Sequence, residues 1–242
     1  MDRLAVVTGT SSGIGRAVAD ALLARGWEVV GVARRDAPIR QAAYHHARLD
    51  LGDEGALSAG LDAALGEHLG RPRARIGLVS NAAVLDPVGA VATLDPAALA
   101  RAFAVNVIAP ARLLALALAG RGTARLTAVN VSSGAATRPY AGWGAYCSTK
   151  AALRMVGLVA AAEAEASGTR GVSVVSYEPG VVDTDMQASV RALEPGAFPM
   201  VKRFRDLHAE GRLVPPAAPA AEIAGLLDRD DLPPFAEMRH GA

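Results

Sequence analysis

The chain has 242 residues, enough for one α/β domain of ordinary size, and 51% of them are hydrophobic, enough for a buried core. A net charge of +1 argues against a nucleic-acid or membrane surface, and a single cysteine, Cys147, excludes an intrachain disulfide and fits a reducing, cytoplasmic setting. No basic segment followed by a long apolar stretch opens the chain, and the longest apolar run, residues 113–119, is too short to span a bilayer.

Residues 4–7 form an apolar run ending in Thr8-Gly9, the pattern of a buried parallel strand. Gly9-Thr10-Ser11-Ser12-Gly13-Ile14-Gly15 follows, and then a helix-periodic stretch over 17–23, with Gly26 as its C-terminal cap. Between a strand and a helix, such glycines let the backbone approach a pyrophosphate at the positive end of the helix. The spacing G-x-x-x-G-x-G differs from the commoner G-x-G-x-x-G, and a plain turn is the other reading.

A second strand over 28–32 ends in Ala33-Arg34-Arg35. An acidic residue there would accept from a ribose 2′-hydroxyl, whereas a guanidinium suits a 2′-phosphate. Arg34 is the favoured phosphate contact, with Arg16 assisting; solvated loop arginines are the alternative. Residues 47–51 read as a third strand, with the Asp50 carboxylate placed to accept from an adenine amino group. An amphipathic helix is expected over 52–70, and a fourth strand over 75–80 leads to Asn81-Ala82-Ala83. Helices run from about Asp95, with Pro110 starting or kinking one of them. Asn106 is polar in an apolar stretch: it is a satisfied core amide, or it holds a relay water.

A fifth strand, 126–132, ends beside Ser133, thirteen residues before Tyr146. Tyr146 and Lys150 are four apart, on one helical face. A nearby ammonium lowers a tyrosine pKa from its usual ~10, so Tyr146 becomes a usable acid or base toward a carbonyl or alcohol oxygen, which the Ser133 hydroxyl also reaches. This set suits reduction of a carbonyl by a hydride donor. Residues 172–176 form a sixth strand before Pro179-Gly180, and 183–219 lose regular pattern, a candidate lid over about 185–212. A helix over 220–227 and a short strand over 235–238 close the chain. The five histidines, His45, His46, His68, His208 and His240, form no ligand pattern with Cys147, and no metal is expected. Strands alternating with helices predict an α/β, Rossmann-type doubly wound parallel sheet in a single domain, with helices on both faces.

With these motifs assembled, the chain resembles the short-chain dehydrogenase/reductase family from Leu4 to about Thr184. The resemblance implies an acid/base role for Tyr146, substrate orientation by Ser133, ribose binding by Lys150 and a relay at Asn106. It also implies a cofactor cradle of Gly9, Ser11, Ser12, Gly13, Ile14, Gly15, Asp50, Leu51, Asn81, Ala82, Ala83, Pro179, Gly180, Val182 and Thr184. Ala83 stands where the family usually has glycine, which matters if that backbone needs positive φ. Closer likeness, in Pro139-Tyr140-x-x-Trp143 and Asp183-Thr184-Asp185-Met186, is to bacterial sepiapterin-reductase-like enzymes and benzil reductases. That likeness implies NADPH and a small-molecule carbonyl substrate, a vicinal dicarbonyl by class, bound by Ser133, Tyr140, Trp143 and Met186. A homodimer or homotetramer is expected, paired through the Tyr146 helix with its small-residue surface, residues 159–162. The competing readings are an NAD-linked alcohol dehydrogenase and a non-catalytic dinucleotide sensor on the same fold.

Overall fold

The computed structural model describes residues 2–241. Strands β1 (Arg3–Thr8), β2 (Glu28–Ala33), β3 (Tyr44–Arg48), β4 (Arg75–Ser80), β5 (Arg125–Val131), β6 (Val172–Glu178) and β7 (Phe235–Arg239) form one sheet. Its order is β3-β2-β1-β4-β5-β6-β7, and every pairing is parallel. The helices are α1 (Gly13–Ala24), α2 (Leu61–Leu69), α3 (Pro96–Phe103), α4 (Ala109–Gly120), α5 (Gly144–Ala166), α6 (Asp185–Ala192), α7 (Val201–Ala209) and α8 (Ala217–Leu227).

The side-chain period of two in a strand builds two cores from each apolar run. Ala5 and Val7 of β1 join Val79, Val129 and Val175 in a layer closed by Val18 and Leu22 of α1 and Ile223 and Leu227 of α8. Leu4 and Val6 join Val30, Leu78, Leu126 and Val174 in the opposite layer, closed by Leu61, Leu65 and Leu69 of α2 and Leu113 of α4. Each fully buried Leu or Val contributes roughly 1.5–3 kcal/mol. The strand order reverses direction between β1 and β4, and in such sheets ligands bind beyond the carboxyl ends of the strands at that point.

Several sequence expectations need correction. The third strand lies earlier than residues 47–51, because its ladder with β2 starts at Val29↔Tyr44 and it is an edge strand with half-exposed side chains. The helix expected over 52–70 is present over 54–69, with a π segment, Ala56–Gly60, leading into α2. Residues 183–219 are not irregular: α6 is capped by Thr184, whose Oγ1 accepts from the Gln187 N–H, and α7 buries Val201 and Phe204. α3 and α4 run through a π segment, Ala104–Ile108, as one helix from Pro96 to Gly120, with Pro110 in the first turn of α4. By length and composition that helix would cross a bilayer; in this fold its Leu113, Leu114 and Ala117 pack on the sheet.

Candidate active site

The glycine-rich turn leaves β1 with Gly9 at φ +78° and Gly13 at φ +56°, conformations that glycine adopts without penalty. A Cβ on Gly15 would stand 2.4 Å from the Gly9 carbonyl and from Asn81 Nδ2, so Gly15 serves close packing and does not face the cleft. Thr8 Oγ1 accepts from the backbone N–H groups of Asn81 and Ala82, both at 2.9 Å, and Asn81 Nδ2 donates to the Thr8 carbonyl at 3.0 Å. The ends of β1 and β4 are thereby fixed together. Ser12 gives α1 no side-chain cap, and no acidic residue occupies its first turn. The amides and positive dipole end of α1 are therefore left for an external anion, which fits a pyrophosphate. Among the described residues no non-glycine has positive φ, so Ala83 fits its backbone without strain.

From this turn a cleft of about 450 Å³ runs along the carboxyl ends of the strands. Ser11, Ser12, Ile14, Asn81, Ala82 and Ala83 line it, as do Pro179, Gly180, Val182 and Thr184. At one end stand Arg34, Arg35, Asp50 and Leu51. Arg34 Nη1 lies 4.0 Å from Asp50, and Arg35 reaches Ser12 Oγ at 3.5 Å and Asp185 at 3.9 Å. Arg35 is thus the guanidinium nearer the glycine turn. Arg16 points instead to Asp20 at 3.7 Å and does not line the cleft. The Asp50 carboxylate, expected to be open to adenine, is engaged by Arg101 at 2.9 and 3.0 Å and by the Gly52 N–H at 2.9 Å. Burial would raise its pKa, but these partners hold it below the usual value.

In the middle of the cleft Ser133, Tyr146 and Lys150 converge. Ser133 follows β5, its Oγ accepts from the Ala135 N–H at 3.2 Å, and its hydroxyl acts to lower the Tyr146 titration. Lys150 lies one turn along α5, with Nζ 5.6 Å from the Tyr146 ring centroid and donating to the Val131 carbonyl at 2.8 Å. Burial dominates both titrations. It pushes Tyr146 up to about 12, against the lowering effect of the Ser133 hydrogen bond and with a small upward push from Cys147. It pulls Lys150 down to about 8. Burial thus works against the expected lowering of the tyrosine by the lysine and favours the neutral phenol.

Asn106 sits in the π segment, buried and outside the cleft lining. Its Oδ1 accepts from the Val84 N–H at 2.8 Å, and its Nδ2 donates to the Val84 carbonyl at 2.9 Å and to Thr149 Oγ1 at 3.0 Å. Thr149 in turn donates to the Tyr146 carbonyl at 2.9 Å. Both amide hydrogens are taken, so this side chain braces α5 rather than offering a hydrogen to a relay water.

At the far end Tyr140, Trp143 and Met186 line the cleft, joined by Gln187, Val190, Arg203 and Phe204. Trp143 stacks on Phe198 at 4.3 Å and 9° and meets Tyr146 edge-on at 5.4 Å. Phe198 and Met200, within the candidate lid, do not line the cleft; Phe198 is fully buried under Trp143. Trp143 Nε1 and Gln187 Oε1 are buried without a protein partner.

A family model described as short chain dehydrogenase matches residues 3–195. The chain belongs to the short-chain dehydrogenase family. It is therefore an oxidoreductase of the family that acts on carbonyl and alcohol groups with a nicotinamide dinucleotide. It is 31% identical over 240 residues to a benzil reductase ((S)-benzoin forming) from Bacillus cereus, covering 96% of each chain. It is 35% identical over 248 residues to the sepiapterin reductase of Meriones unguiculatus, covering 93% of this chain and 91% of that one. Among solved structures, a short-chain dehydrogenase/reductase from Saccharomyces cerevisiae superposes with a TM-score of 0.82 at 29% identity, over 99% of this chain and 96% of that one.

The motifs did not point to Arg35, Arg138, Glu178 or Arg239 as cleft residues. Glu178 lies between Arg138 at 3.6 Å and Arg239 at 3.7 Å, so the rim carries more positive than negative charge. The signal for Arg35 was its place beside Arg34. Glu178 and Arg239 meet because β6 and β7 pair, and the loop between β5 and α5 brings Arg138 to them.

Proposed function

We propose that this dehydrogenase is an NADPH-dependent carbonyl reductase acting on a ketone or vicinal dicarbonyl, with Tyr146 as proton donor. The observation that carries the reading is the convergence in the cleft of Ser133 with the buried Tyr146 and with Lys150 one turn away, where burial favours the neutral phenol. A neutral phenol is the form that gives a proton to a carbonyl oxygen as it becomes an alkoxide. Ser133 donates to the same oxygen and orients it. Lys150 supplies charge beside the dinucleotide ribose. When bound, the dinucleotide supplies the hydride. Arg34 and Arg35 favour a 2′-phosphate over a bare hydroxyl, because neither arginine side chain is committed to a close carboxylate partner.

The unpartnered Trp143 N–H, on a ring lining the cleft beside Tyr146, supports a substrate with a second oxygen. The aromatic and Met186 wall favours flat apolar groups around it. In this reading α6 and α7 close over the substrate as a lid, and copies pair through α5 and through α4 with the π segment before it, where Ile108, Leu118, Met155 and Val159 stand exposed. Ala161, in the small-residue stretch expected at that face, is buried.

The test is NADPH consumption with aryl diketones, diacetyl, pterins, simple ketones and steroids, for the wild type and for Tyr146→Phe. Turnover of a dicarbonyl should fall about 100-fold or more in the variant with NADPH binding retained. Equal turnover in both proteins would remove Tyr146 as the donor.

A further inference from the structure

Three side chains from three elements converge at the end of the sheet away from the cleft. Glu28 opens β2. Residues two apart share a face, so it stands with Val30 on the side covered by α2. His45 is the register partner of Val30 on β3 and takes the same face. α2 brings His68, three residues after the buried Leu65. We propose that Glu28, His45 and His68 form a binding site for a divalent transition metal of the zinc type, with one coordination position open.

His68 Nδ1 lies 2.8 Å from Glu28 Oε1, and His45 Nε2 lies 3.5 Å from the same oxygen. The three donor atoms are all within 4.8 Å of one another, and the two imidazole centroids are 4.7 Å apart. Ligand atoms around a tetrahedral zinc, with bonds near ~2.0–2.1 Å, stand about 3.4 Å apart, so an ion fits with small side-chain shifts. Two imidazoles and one carboxylate are a borderline set that suits zinc or cobalt and is poor for calcium or magnesium.

The carboxylate is already oriented. Arg73 Nη1 donates to Glu28 Oε2 at 2.8 Å, and its Nη2 to the His68 carbonyl at 3.4 Å, which leaves Oε1 toward the histidines. Such outer partners fix ligand geometry. The guanidinium also opposes a second cation, so the site has micromolar rather than tight affinity. Without the ion, a proton between His68 and Oε1 fills the place, and the ion displaces it. Occupancy clips the edge strand β3 and α2 onto β2. The turn after β3 carries Asp50 and Leu51 to the cleft, so the clip also steadies that end of it.

Glu28→Gln would break the Arg73 pair as well, so the informative variants are His45→Ala, at a half-exposed position, and His68→Ala. Untagged, chelator-stripped full-length protein is titrated with Zn²⁺ by calorimetry and by thermal melting, with Co²⁺ as a visible-absorption probe. One ion per chain is expected. The melting temperature should rise by about 5 °C or more at a hundredfold excess over Kd. Each variant should lose about tenfold or more in affinity, and His208→Ala none. Absence of uptake, or uptake equal in the wild type, His45→Ala and His68→Ala, would overturn the site and leave an ion-pair network around Glu28.

Discussion

Lys150 and Tyr146 lie one helical turn apart, yet the lysine ammonium donates to the Val131 carbonyl and stands 5.6 Å from the tyrosine ring centroid. The pair is held by burial on both members, and burial moves their titrations in opposite directions, Tyr146 to about 12 and Lys150 to about 8.

Stability should follow these shifts in alkali. Lys150 titrates near 8 in the fold and 10.5 when unfolded, so between those values the unfolded chain holds the extra proton and stability rises with pH. Tyr146 goes the other way: the unfolded phenol ionises at 10.0 and the folded one near 12, so above pH 10 its contribution is lost. Melting temperature should therefore climb from about pH 8 to 10, relative to Lys150→Met, and fall beyond. Identical pH profiles for wild type and Lys150→Met would mean that the lysine is not held against its charge. Reductive turnover should keep its proton donor across pH 6–9, and any decline above pH 8 should appear as weaker dinucleotide binding.

Cofactor choice should depend on two arginines. Arg34→Asp and Arg35→Asp each put a carboxylate where a 2′-phosphate would sit, and each should raise the KM for NADPH about tenfold or more. NADH should lose much less. Because Arg35 also touches Ser12 and Asp185, its variant tests whether that contact serves the phosphate or only ties α6 to the glycine turn. Equal losses for both dinucleotides would favour the tie.

The legibility of the chain followed burial. β1, β2, β4, β5 and β6 are central strands covered on both faces, and such strands read as unbroken apolar runs. β3 is an edge strand built from Tyr44, His45 and His46, so composition pointed three residues downstream, to the apolar Ala47 and Leu49. α7 hides its core contacts, Val201 and Phe204, among charged residues, and Pro195 and Pro199 precede it, so the segment read as irregular. The cradle and the Ser133, Tyr146 and Lys150 set were legible because each sits at a strand end or on one helix face. The commitment of Asp50 to Arg101, the bracing of α5 through Asn106 and Thr149, and the meeting of His45 with His68 depend on tertiary register. No local pattern encodes them.

Trp143 joins stability to specificity, and two substitutions separate the roles. Its ring lies in a small core with Phe198, Val201 and Phe204 and also faces the cleft. Trp143→Ala removes the stack and leaves a cavity, at a cost of roughly 3–5 kcal/mol in stability, so general loss of activity is expected and decides nothing about binding. Trp143→Phe keeps an aromatic ring on Phe198 and removes only the N–H that has no protein partner. If that N–H meets the second oxygen of a dicarbonyl, its loss is worth about 1–2 kcal/mol, and kcat/KM for aryl diketones should drop about tenfold relative to the matching monoketones. Melting temperature and the KM for NADPH should change little. A diketone-to-monoketone ratio unchanged in Trp143→Phe would assign the indole to packing, with specificity left to the shape of the wall formed by Tyr140, Met186 and Phe204.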